Sequence, residues 1–263
     1  MTPNRLICLP LALAGLLAAI GCNRSQAPEP SPAAQPSPRK IHLIAIDPGV
    51  GNVDVAKFLT DATEADDEEH QIFVFSGTAR DLAPLQLGTV AARPQAEVAG
   101  NIRGAGREAL LAQARTAARA ARADGLKTIL EELARSPVPK ASLLVENLRA
   151  LAVLAKDLGP AVRITVMTDL LETQVGKLSL ERSDPRDPRT AAAFAAYVKA
   201  GGGPLDLERV RIVMPLTLCP GPGLPPMGTT QVKALQALWV QAALPHTQVE
   251  FKTLQTVRTP SPR

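Results

Sequence analysis

From Ile41 onward the chain alternates between two hydrophobic periods. Ile41 to Ile46 (IHLIAI) is an almost continuous apolar run that stops at Asp47-Pro48-Gly49, as expected of a strand buried on both faces. Val53 to Thr63 has helical spacing, with Val55, Phe58 and Leu59 inward. Gln71 to Phe75 predicts a second strand ended by Ser76-Gly77, and Leu85 to Val90 an edge strand paired to it. Arg107 to Arg135 is rich in Ala, Leu, Arg and Glu and predicts helix, with Gly125 a point where it could divide in two. Ser142 to Leu158 predicts an amphipathic helix closed by Gly159-Pro160, and Val162 to Met167 a strand running into Thr168-Asp169. Helix Thr190–Ala200, strand Val210–Met214, helix Thr230–Ala243 and strand Gln248–Lys252 complete the order. Strands separated by helices predict a three-layer α/β domain with a mostly parallel sheet and right-handed crossovers.

The two ends follow other rules. Leu6 to Ile20 is apolar, broken only by Pro10, and follows a single basic residue, Arg5. It is shorter than the ~20 residues a spanning helix needs and has the layout of a secretory signal. Ala19-Ile20-Gly21-Cys22 places small residues directly before a cysteine, an arrangement that resembles the bacterial lipoprotein signal. That resemblance implies cleavage after residue 21 and diacylation of Cys22, and Asn23 beside it resembles an outer-membrane rather than inner-membrane address. Residues 22–40 are dominated by Pro, Ser and Ala without apolar periodicity, a spacer that favours extended conformations. Residues 255–263 have the same character and are expected to be a disordered tail.

Composition narrows the classes further. The formal charge of +4 falls to +3 once Arg5 is removed, too little and too dispersed for a nucleic-acid surface. Of three cysteines, Cys8 leaves with the signal and Cys22 is the acylation site, so Cys219 stands alone. Neither a disulfide framework nor a cysteine-based zinc site follows. Stability must come from a core poor in aromatics, with one Trp, one Tyr and five Phe in the whole chain.

In a sheet of this kind a site forms beyond the carboxyl ends of strands where the strand order switches. Asp47 and Asp169 both stand there. The motifs IHLIAIDPGVGN and RITVMTDLLE, with the closing unit VKALQALWVQAALPHTQVEF, resemble a von Willebrand factor type A domain over residues 41–254. The resemblance implies strand order 3-2-1-4-5-6, with Asp47 and Asp169 on adjacent strands. That family often holds a divalent cation through D-x-S-x-S, a Thr and a distant Asp. Here Asp47 matches the first Asp and Asp169 the last, Ser142 stands in for the Thr, and both serine positions are glycine, Gly49 and Gly51. Asn52 offers an oxygen out of register. A hard cation needs several oxygen ligands, so the resemblance implies a degenerate site with no cofactor, or at most weak Mg²⁺ binding.

Other candidates carry less. The acidic run Glu64 to Glu69 precedes a strand and reads as a solvated loop. The three histidines are scattered: His42 in a buried strand, His70 in the acidic loop, His246 in a turn. Gly100 to Gly106 lacks the Lys-Thr of a phosphate loop. Arg115, Arg119 and Arg122 share one helical face, expected to be solvated. The Cys219-Pro-Gly-Pro-Gly-Leu-Pro-Pro stretch is a stiff loop at the same end as Asp47. These features lead to a lipid-anchored envelope protein whose domain binds a protein partner without catalysis. The alternative is a metal-dependent hydrolase using Asp47 and Asp169.

Overall fold

The computed structural model describes residues 40–50, 54–65, 68–75, 84–92, 105–136, 142–174, 178–220 and 224–254. The chain divides into two units, Met1–Ser37 and Pro38–Arg263, and every described residue belongs to the second. Cys22, the spacer, Gly51, Asn52 and the tail lie outside the described residues.

The elements run β1 (Ile41–Ile46), α1 (Val55–Ala62), β2 (Glu69–Val74), β3 (Leu85–Val90), α2 (Ala105–Arg135), α3 (Leu144–Leu158), β4 (Val162–Met167), β5 (Thr173–Gln174), β6 (Leu178–Ser179), α4 (Pro188–Ala200), β7 (Arg209–Pro215), α5 (Thr229–Ala242) and β8 (Gln248–Leu254). Six strands form one sheet in the order β3-β2-β1-β4-β7-β8, and β5 and β6 pair separately. Counting only the main sheet, the order is 3-2-1-4-5-6, the doubly wound arrangement of a von Willebrand A-like fold. Every pairing in that sheet is parallel except β2 with β3. The hairpin β5–β6 has two-residue strands, too short to leave a periodic trace in the sequence.

Strand alternation divides the core. Leu43 and Ala45 of β1 and Ile164 and Val166 of β4 pack with α3, α4 and α5 around Phe194 and Trp239. Ile44, Ile46 and Met167 face Phe58 and Leu59 of α1 and Ile129 of α2. β1 is buried along its whole length because it lies between these layers. At the edge, β3 comes so close to α2 that a Cβ at Gly88 would stand 2.9 Å from Ile129 Cγ1. A larger residue there would lift the helix off the sheet.

Helix α2 runs through Gly125 without a break. One glycine costs about 1 kcal/mol in a helix, and Leu126, Ile129, Leu130 and Leu133 on the following turns anchor it to the sheet. β2 also begins earlier than its sequence signal. Parallel pairing with β1 draws Glu69 and His70 into the ladder opposite Ile41 and His42. Both residues are buried, so the solvated-loop reading does not hold for them.

Candidate functional site

Asp47 follows β1 directly, and its amide donates to Met167 O of β4 at 2.9 Å. The β1–β4 pairing thus continues into the loops that carry Asp47, Thr168 and Asp169. Thr168 N donates in turn to Val213 O of β7 at 3.1 Å. Connections diverge on either side of β1 and β4, which makes this the switch point of the sheet.

The Asp47 carboxylate is 2% exposed. Oδ1 accepts from Gly49 N at 3.0 Å, a turn closed by the aspartate itself. Oδ2 accepts from Thr168 Oγ1 at 3.0 Å and from Ser142 Oγ at 3.3 Å. The Thr168 oxygen also accepts from Leu170 N at 3.1 Å, which directs its own proton toward Asp47. Asp169 Oδ1 accepts from Leu171 N at 2.9 Å. Between them Leu170 adopts φ 63°, a left-handed conformation uncommon for a side chain of this size. It is held there by complete burial and by Trp239, whose indole N–H donates to Leu170 O at 2.9 Å.

The structure therefore brings together Asp47, Gly49, Ser142 and Asp169, and adds Thr168. Burial raises the Asp47 pKa, while the donors from Gly49, Thr168 and Ser142 oppose that rise. Asp169 is pushed up to about 7, first by burial and then by the charge of Asp47.

A second carboxyl on the same loop escaped sequence reasoning. Glu172 is fully buried and caps α3: its Oε2 accepts from Val145 N at 2.9 Å. The Tyr197 hydroxyl lies 3.0 Å from Glu172 Oε1 and 2.5 Å from Glu146 Oε1. Burial moves the Glu172 pKa up to about 8. With one hydroxyl proton for two carboxyls, a protonated Glu172 completes the network.

The oxygens of this cluster do not fit the cation site of the A-domain family. One backbone amide, the buried Thr168 hydroxyl and the half-buried Ser142 hydroxyl already bond the two Asp47 oxygens. A Cβ at position 49 would lie 3.2 Å from Asp47 Oδ1, so the carboxylate fills space that a serine would need. Among the described residues, too few oxygens remain for an ion that demands near-octahedral coordination.

No family model and no curated protein matches the chain. Among solved structures it is similar to the human COPII-coat protein Sec24c, at 11% identity and a TM-score of 0.35, over 82% of this chain and 30% of that one. Sheet order and register carry the fold by themselves.

At the opposite end of the sheet lies a cluster that the sequence kept apart. His70, His42 and Arg163 occupy one register row across β2, β1 and β4. Both histidines are buried, at 0% and 1% exposure. Their Nδ1 atoms stand 3.1 Å apart with rings edge to face. His42 Nε2 is 2.8 Å from Thr165 Oγ1, and His70 Nε2 donates to Ala65 O at 2.9 Å. Arg122 of α2 donates to the same carbonyl at 2.9 Å. The Arg163 guanidinium lies 3.1 Å from His42 Nδ1 and 2.5 Å from Glu68 Oε2. Burial above all, and then the charge of Arg163, lowers the His42 pKa to about 2; burial likewise lowers that of His70. The signal available in the sequence was positional: each histidine stands second in its strand once β2 is begun at Glu69.

On α2, Arg115 and Arg119 are exposed, while Arg122 turns to the loop between α1 and β2. Cys219 is an exposed free thiol. Leu216 and Leu224 on the loop after β7 are 60% and 46% exposed.

Proposed function

We propose that this chain is a lipid-anchored envelope protein that binds a protein partner through the carboxyl-end loops of its von Willebrand A-like domain, without catalysis. One observation carries the reading: exposed leucines stand at the sheet end where the polar cluster is already closed by its own hydrogen bonds. Leu216 and Leu224 lie on the segment that follows β7, and β7 runs parallel to β4 beside the switch point. Apolar side chains exposed in this proline-rich segment bury area on binding. The closed cluster acts as a rigid platform beneath them. The envelope address rests on Cys22 and the spacer behind it.

The hydrolase alternative draws on Asp169, whose carboxyl titrates near neutrality as a general acid or base requires. Against it, Gly49, Thr168 and Ser142 already use three of the roughly four acceptor positions of the Asp47 carboxylate.

Photo-crosslinking in cells tests the proposal. A crosslinking residue at position 216 or 224 should trap a discrete protein, and one at Val153, equally exposed on α3, should not. Equal trapping from both surfaces, or none from the loop, defeats the reading. In the same cells a fatty-acid probe should label the wild type and leave Cys22→Ser unlabelled.

A further inference from the structure

We propose that His42, His70 and Glu68 form a binding site for a divalent transition metal of the zinc class, at the amino end of β1 and β2. The three ligand atoms lie within 4.8 Å of one another. The two Nδ1 atoms are 3.1 Å apart, close to the ~3.3 Å separating two nitrogens bonded at ~2.0–2.1 Å to a tetrahedral zinc. Glu68 Oε2 is 3.9 Å from His42 Nδ1 and needs only a small side-chain movement to join them.

Hydrogen bonding around the pair makes the case independently of distance. Ala65 O can only accept, so His70 Nε2 carries the proton and His70 Nδ1 is bare. Arg163 can only donate, so its contact with His42 requires a bare Nδ1 there as well. Two lone pairs then face each other across 3.1 Å. Placing a proton on His42 Nδ1 satisfies His70 but opposes the Arg163 N–H. With Arg163 in contact, no tautomer of the neutral rings satisfies all three groups; once it withdraws to Glu68 alone, either a proton on His42 Nδ1 or a cation shared by both Nδ1 atoms does.

The surroundings suit such an ion. The Nε2 atoms are fixed by Ala65 O and Thr165 Oγ1, the outer hydrogen bonds that orient ligating imidazoles. Two imidazoles and one carboxylate favour zinc over Mg²⁺ or Ca²⁺. Arg163 is the most exposed member of the cluster, with 36% of its side chain accessible, and is the group free to swing out. Three protein ligands leave a fourth position for water or a bound group.

The test uses tag-free full chain in detergent, stripped with chelator, in a Cys219→Ser background that removes the exposed thiol. Calorimetric titration with Zn²⁺ should show one ion per chain, and Co²⁺ should give the visible absorption of a four-coordinate site. Glu68→Gln and His70→Gln should each weaken Zn²⁺ roughly tenfold or more. Arg163→Gln should tighten it several-fold by removing the competing guanidinium, and substitution of the exposed His246, His246→Gln, should leave it unchanged. Far-UV circular dichroism verifies folding, and if His70→Gln does not fold, the tightening by Arg163→Gln decides. Absence of stoichiometric Zn²⁺ in both the wild type and Arg163→Gln overturns the proposal. So does binding that survives His70→Gln or is lost with His246→Gln.

Discussion

At the carboxyl end of β1, Asp47 meets donors that cannot leave: the Gly49 amide and two hydroxyls held in loops beside β4 and α3. At the amino end of the same strand, His42 meets a second bare imidazole nitrogen and an arginine that reaches solvent. Both groups are buried to within 2% of complete. The difference lies in whether their partners agree. Around Asp47 every proton points to an acceptor, which makes the cluster rigid and leaves a cation little to add. Around His42 the donors and acceptors conflict while Arg163 stays in contact, so no single set of hydrogen bonds satisfies every member of that cluster.

Removing the central group at each end breaks the comparison most directly. Asp47→Ala leaves one amide and two hydroxyls without their acceptor and should destabilise by about 3 kcal/mol. His42→Leu removes a ring whose bonds already conflict and should cost about 1 kcal/mol. Urea unfolding at neutral pH measures both, and similar losses would erase the contrast.

Next in size is the response to pH, where the ends have opposite signs. Asp169 has a folded pKa of about 7 against the 3.8 ordinary for an aspartate. The folded state thus holds a proton that the unfolded chain releases, and stability falls as pH rises between these values. Asp169→Asn should therefore equal the wild type below pH ~4 and exceed it by about 2 kcal/mol above pH ~7. Glu172 adds the same sign up to about 8. His42, lowered to about 2, acts in reverse: the unfolded chain binds the proton first, so stability is lost as pH falls below about 6.5. His42→Gln should flatten the acid limb and leave the alkaline limb intact. Unfolding at a series of pH values separates the two, and a parallel shift of both limbs would show that the ends do not titrate independently.

The smallest effect sharpens the reading of the closed cluster. Gly49→Ser places a Cβ against Asp47 Oδ1 and should cost about 1 kcal/mol, with no rise in melting temperature on adding millimolar Mg²⁺. A metal-dependent rise would mean that the carboxylate can turn outward and that glycine alone disabled the site.

Much of this was legible along the chain. Boundaries of β1, β3 and β4 coincide with apolar runs, and α3 to α5 begin within two residues of their signals. Asp47 and Asp169 were visible as the polar residues that end two such runs. Thr168 was adjacent to Asp169 but indistinguishable from any threonine after a strand. Glu172 looked like part of a loop, because its burial depends on the amino end of α3 and on Tyr197, both distant in sequence.

By itself the sequence determined the alternation of strand and helix, since periods of two and 3.6 are local properties of the backbone. It also determined that the core would be built from Ala, Leu, Ile and Val, and that an apolar run from Leu6 to Ile20 stands before Cys22. Tertiary structure decided which polar groups meet. Parallel pairing set His42 beside His70 across 28 residues and beside Arg163 across 121, and started β2 two residues earlier to do so. It also folded the Asp47 carboxylate back over Gly49 and onto Thr168. Register and side-chain direction arise only when strands come together, and hydrogen-bond agreement or conflict is a property of that meeting.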